Sequence, residues 1–150
     1  MKTRIVVGML LVSALTSSLA LAGGKKDTIS ITVRNCFGET ASAKSKLKNG
    51  LGEQEDKDIA HNTSQTISCK AGDTGKCRFA VFAPSCGAGV EDGSGNFHVG
   101  NGAVVVIYAT GNINETVVNN STRRYPEVGY TTNAPNSCAG YTPRSCSEFR

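Results

Sequence analysis

The chain has 150 residues, enough for one domain with a modest core, and sets 16 Lys and Arg against 12 Asp and Glu. Without Lys2 and Arg4, which sit in an N-terminal leader, the excess falls to two positive charges, too few for the electrostatic footprint of a nucleic-acid binder. Six cysteines and two histidines, none in C-x-x-C or His-cluster spacing, exclude a zinc site and suggest an oxidised, exported domain.

Lys2 and Arg4 precede a run from Ile5 to Leu21 that is apolar apart from small residues, and Ala20-Leu21-Ala22 offers a cleavage site before Gly23. The most apolar part, Ile5 to Ala14, is short for a bilayer span of about 20 residues, so cleavage is favoured over an N-terminal anchor. No cysteine follows the site to carry a lipid, and no second long apolar run exists. The expected product is residues 23–150, a secreted or periplasmic domain with no transmembrane segment.

Thr28 to Arg34 alternates cleanly, with Ile29, Ile31 and Val33 on one face, and reads as a half-buried strand. Asn35-Cys36-Phe37-Gly38 turns the chain. Thr40 to Lys48 alternates more weakly and reads as an edge strand with its lysines outward. Gly50 to His61 reads as a polar loop. Its Glu53, Glu55, Asp56 and Asp58 follow Lys44, Lys46 and Lys48, so charge is segregated along the segment.

Thr63 to Lys70 and Cys77 to Ala83 are further alternating strands, the second stopped by Pro84. Phe97 and Val99 start a short one. Ala103 to Ala109 is continuously apolar, as expected of a strand covered on both faces. Glu115 to Val118 and Glu127 to Thr131 complete the set, and the tail from Asn133 is loop. No segment shows a sustained helical period. The expected fold is a single all-β domain: a β-sandwich of about seven to nine short antiparallel strands, disulfide-stabilised.

Cys36, Cys69, Cys77, Cys86, Cys138 and Cys146 permit 15 pairings. Loop geometry favours Cys69 with Cys77 around the KAGDTGK turn and Cys138 with Cys146 around the tail, leaving Cys36 with Cys86.

Gly89 to Phe97, GVEDGSGNF, is the loop richest in binding chemistry. Glu91, Asp92, Gly93, Gly95 and Asn96 suit a ligand cradle, although the order is neither a calcium loop nor a phosphate fingerprint. A plain hairpin connection is the alternative. Arg123, Arg124 and Tyr125, with Tyr130 and Tyr141, gather a second set of recognition side chains in the C-terminal third. His61 and His98 lie in no catalytic motif, there is no G-x-S-x-G elbow, and Asp56-Lys57-Asp58 with His61 lacks converging metal partners. No catalytic residue, metal or cofactor is assigned, and a small secreted hydrolase is the minor alternative. Sequons at Asn62, Asn114, Asn119 and Asn120 mark surface loops.

The order of ISITVRN, a basic segment, the acidic Asp56 to Asp58 run, Cys86-Gly87, a glycine-rich loop ending in Phe97 and the apolar VVVIYA resembles the aegerolysin family over Thr28 to Asn120. That resemblance implies a small β-sandwich that recognises membrane lipids, in some members with a larger pore-forming partner. The family's membrane loops bear tryptophan, and this chain has none, so no binding residue carries over individually. The expected role is a secreted, non-enzymatic binding protein for a membrane lipid, with an inhibitor-like or adhesin-like protein binder as the alternative.

Overall fold

The structure, a computed structural model, describes residues 28–47, 53–70, 77–84, 86 and 91–149, with backbone only at 47, 53–54 and 91–96. The leader at 1–22 and residues 71–76 of the KAGDTGK turn lie outside these residues.

Eight strands form two four-stranded sheets packed face to face. They are β1 (Thr28–Asn35), β2 (Ala41–Leu47), β3 (Glu53–Ile59), β4 (Ser64–Lys70), β5 (Cys77–Pro84), β6 (Glu91–Phe97), β7 (Val104–Val118) and β8 (Ser121–Thr132). The first sheet runs β4-β1-β7-β8 and the second β3-β2-β5-β6. All pairings are antiparallel except β1 with β7, which run parallel from Thr32↔Val104 to Asn35↔Ile107.

The inward alternation of each sheet supplies the core: Ile31, Val33, Phe37, Ile59, Ile67, Phe79, Val81, Val105 and Ile107 are all buried. Full burial of such a side chain contributes roughly 1.5–3 kcal/mol, so this layer is the main source of stability. Both open flanks of the sandwich are closed by side chains. On one, the Ser68 amide donates to Glu55 (2.6 Å) and the Lys57 ammonium to the Thr66 carbonyl (2.7 Å), joining β3 to β4. On the other, Phe97 of β6 stacks on Tyr130 of β8 with centroids 4.9 Å apart.

Four readings of the sequence are corrected. The segment read as an edge strand, β2, is interior and pairs with both β3 and β5. The polar segment after it is itself a strand, β3, because its charges are cross-strand partners and not loop solvation. Asp56 lies opposite Lys44, with their charged atoms 3.0 Å apart. GVEDGSGNF is mostly strand: Glu91–Phe97 pairs with β5, with an extra residue opposite Val81 as expected of a glycine-containing bulge. The two short strands read at 103–109 and 115–118 are one 15-residue strand, and β8 extends well before Glu127.

The disulfides are Cys36–Cys138, Cys69–Cys77 and Cys86–Cys146, with Cα separations of 5.3, 6.0 and 4.8 Å. Cys69–Cys77 matches the reading; the other two pairs do not. The reason is the course of the tail. It does not close on itself but runs as a strap over the outer face of the first sheet. The Ala134 amide donates to the Val104 carbonyl, Asn136 accepts from Ser64, and Arg34 Nε donates to Cys138 Sγ at 3.3 Å. From Cys138 the strap continues to Cys146, in a 3-10 turn (Cys146–Phe149) tied to the second sheet through Cys86. Val105, Val106 and Ile107 are consequently all 0% exposed, with core on one face and strap on the other.

Candidate functional site

Two surface features meet at the end of the sandwich where β1 stops. β7 loses its β1 partner after Ile107 and continues with β8 alone, forming a two-stranded arm about 20 Å long from Ile113 to the tip. The tip is Asn119-Asn120, with φ of 50° and 61°, the two left-handed residues that a type I′ hairpin turn requires.

The arm is set off from the sheet by a bulge. Ala109 pairs with Val128 and Ile113 with Pro126, so Thr110, Gly111 and Asn112 all stand opposite Glu127. The Glu127 carboxylate accepts from the Thr110 hydroxyl and the Asn112 amide (2.9 Å), which fastens the bulge. The Thr110 bond first, and the Asn112 bond second, hold the Glu127 carboxyl below the ordinary carboxylate range. Gly111, at φ +93°, supplies the backbone conformation the bulge needs.

Cross-strand pairing gives the arm two faces. Ile113/Pro126, Glu115/Arg124 and Val117/Thr122 lie on one, continuing the core-facing side of β8. Ile113 and Val117 are 40% and 70% exposed there, and Arg124 Nε donates to Glu115 at 2.6 Å. Asn114/Tyr125, Thr116/Arg123 and Val118/Ser121 form the other face.

The second feature is a cleft of about 490 Å³ on the outer side of the first sheet, at the root of the arm. Tyr108, Ala109, Thr110 and Gly111 form one wall and Gly140, Tyr141, Thr142 and Arg144 of the strap the other. Tyr108 lies across its β8 neighbour Gly129, where a Cβ would stand 2.9 Å from the ring. The Tyr108 and Tyr141 rings meet at 4.8 Å with a 33° tilt. Arg144 Nε donates to Glu148 at 2.6 Å and its guanidinium caps the Phe149 ring.

The sequence-derived candidates are thus dispersed. Glu91, Asp92, Gly93, Gly95 and Asn96 belong to the edge strand β6; Arg123, Arg124 and Tyr125 lie on the arm. Tyr130 packs against the core through Phe97, whereas Tyr141 lines the cleft. His61 and His98 are exposed at opposite ends of the sandwich, His98 with its ring nitrogen on the Cys77 carbonyl. Among the described residues no group of three His, Cys, Asp or Glu converges on a metal position. Tyr108, Thr110 and Thr142 were not singled out from sequence. Tyr108 lies at the end of the apolar run Ala103 to Ala109, which Thr-Gly-Asn follows, the one signal that the strand leaves its cover there.

Comparison of the chain with family models, curated proteins and solved structures finds no match in any of the three.

Proposed function

We propose that the protein is an exported, non-enzymatic binding protein that engages a lipid membrane surface with its arm. The observation that carries this reading is the pair Ile113 and Val117, exposed on one face of a rigidly rooted hairpin, with Arg124, paired to Glu115, on the same face and Arg123 on the other. Pro126 at the root of this face is buried, and exposure rises from Ile113 to Val117 toward the tip. Apolar side chains that enter the headgroup region, flanked by cations that meet anionic lipid, are the combination an interfacial anchor uses. The resemblance to the aegerolysins and the leader at 1–22 point the same way.

Co-sedimentation with phosphatidylcholine vesicles, with and without phosphatidylglycerol, tests it. The expected outcome is saturable binding that weakens with salt and is lost in Val117→Glu. Equal and negligible pelleting with both vesicle types would overturn it.

A second reading, strand addition to a protein partner, is favoured by the arm's edges. A two-residue hairpin makes Val118–Ser121 a hydrogen-bonded pair, so the backbone groups of Glu115, Val117, Thr122 and Arg124 point outward. Among the described residues no strand takes them up. Such an edge is a template for an extended segment.

A further inference from the structure

We infer that the cleft between β7 and the strap is a second binding site, separate from the arm face, and that it takes a neutral saccharide. Two half-exposed tyrosine rings line one corner, Tyr108 from the sheet and Tyr141 from the strap. Among the described residues neither phenol hydroxyl has a hydrogen-bond partner. A tilted pair of tyrosines offers stacking surface for the C–H face of a pyranose and free hydroxyls at the rim.

The remaining lining selects for polyhydroxyl chemistry without charge. Thr142 contributes a hydroxyl, and the backbone is bare at Gly111 and Gly140, where a Cβ would have nothing within 4 Å. The one cation, Arg144, is already balanced by Glu148, and the Thr110 hydroxyl is engaged by Glu127. A free anion therefore finds no uncompensated positive charge, and a free cation meets the Arg144 guanidinium. A volume near 490 Å³ lies within the usual range for small-molecule sites.

The walls are also held still. The strap segment that supplies Gly140 to Arg144 is bounded by Cys138 and Cys146, bonded to Cys36 just after β1 and to Cys86 just after β5, so it is anchored at both ends. The opposite wall is the bulge fastened by Glu127. A site fixed before the ligand arrives loses little ordering entropy on binding.

The chain has no tryptophan and four tyrosines, two of which line this cleft, so a change in tyrosine fluorescence that is lost in Tyr141→Ala reports on it. The oxidised protein would be titrated, without vesicles, with neutral trisaccharides of glucose, galactose, mannose and N-acetylglucosamine, and with a sulfated trisaccharide. The expected result is a saturable change with at least one neutral sugar, weakened at least tenfold by Tyr141→Ala and unaltered by Val117→Glu. Thr142→Arg obstructs the cleft from an exposed position and should weaken binding equally, which covers the case of a poorly folded tyrosine variant. No saturable response to any neutral probe, response to the sulfated probe alone, or undiminished binding by both cleft variants would overturn the inference. Because the probes are free sugars, failure here is separate from failure of the arm to bind vesicles.

Discussion

Gly38 lies directly beneath Arg144. A Cβ added at Gly38 would stand 2.2 Å from the Arg144 carbonyl oxygen and 2.7 Å from its backbone nitrogen, at a φ of +113°. Main chain cannot swing aside as a side chain can, so this contact sets the height of the strap over the turn that ends β1. Gly38→Ala meets both steric overlap and a strained φ, each costing roughly 1–3 kcal/mol. Urea unfolding should show a loss of about 3 kcal/mol or more, whereas Gly102→Ala, strained in φ but open in space, should lose less.

Asn35 joins the two sheets at the same end. It is 0% exposed; its side-chain amide donates to the Glu39 and Ile59 carbonyls at 2.6 and 2.8 Å and its oxygen accepts from the Phe37 amide at 2.9 Å. Asn35→Ala leaves three backbone groups without these partners, at about 1–3 kcal/mol for each that stays dry. A destabilisation of about 3 kcal/mol is expected by denaturant titration. Asn35→Asp should be no better, because its second oxygen would face two carbonyls.

Non-reducing peptide mapping should return Cys36–Cys138, Cys69–Cys77 and Cys86–Cys146, and recovery of a Cys138–Cys146 peptide would contradict the strap. The Cys36→Ala/Cys138→Ala variant releases a crosslink spanning 102 residues. Loop entropy sets its loss at about 4–5 kcal/mol, against about 2–3 for the local Cys69–Cys77 pair.

Acid should loosen the root of the arm. Glu127 sits below the ordinary value of 4.5 in the folded state. Its contribution is therefore present above that value and is lost as pH falls through the lower folded value. Amide exchange at Asn112 and nearby arm residues should rise over that window, relative to the core strands. In Glu127→Gln the arm should lose this pH response.

Where one face alone decides a strand, the sequence shows it. Thr28 to Arg34 alternates because β1 faces the core on one side only, and the run from Ala103 to Ala109 is apolar throughout because Val106 is covered by the strap. β3 and β6 escaped notice for a different reason. Their order comes from pairing with β2 and β5, and a polar edge strand such as Glu53–Ile59 needs no apolar alternation beyond Ile59. The cleft was illegible because Tyr108 and Tyr141 are brought together by the path of the strap. That path in turn depends on which cysteines pair, a property of the folded chain and not of spacing.

The strap also imposes an order of events on the newly made chain. Cys138 and Cys146 are the last cysteines to emerge, yet each closes a bond with a residue made long before, 102 and 60 positions earlier. Until they appear, Cys36 and Cys86 have only each other and the Cys69–Cys77 pair within reach. A Cys36–Cys86 bond, which the finished protein does not contain, is therefore the expected early product. Maturation would then take two steps: the Cys138 thiolate attacks Cys36 and releases Cys86 as a thiol, and an external disulfide oxidant removes two electrons and two protons from Cys86 and Cys146 to join them. A chain truncated before Cys138 would keep the provisional bond as its end state, and a disulfide isomerase would speed the full-length protein but have nothing to correct in the shortened one.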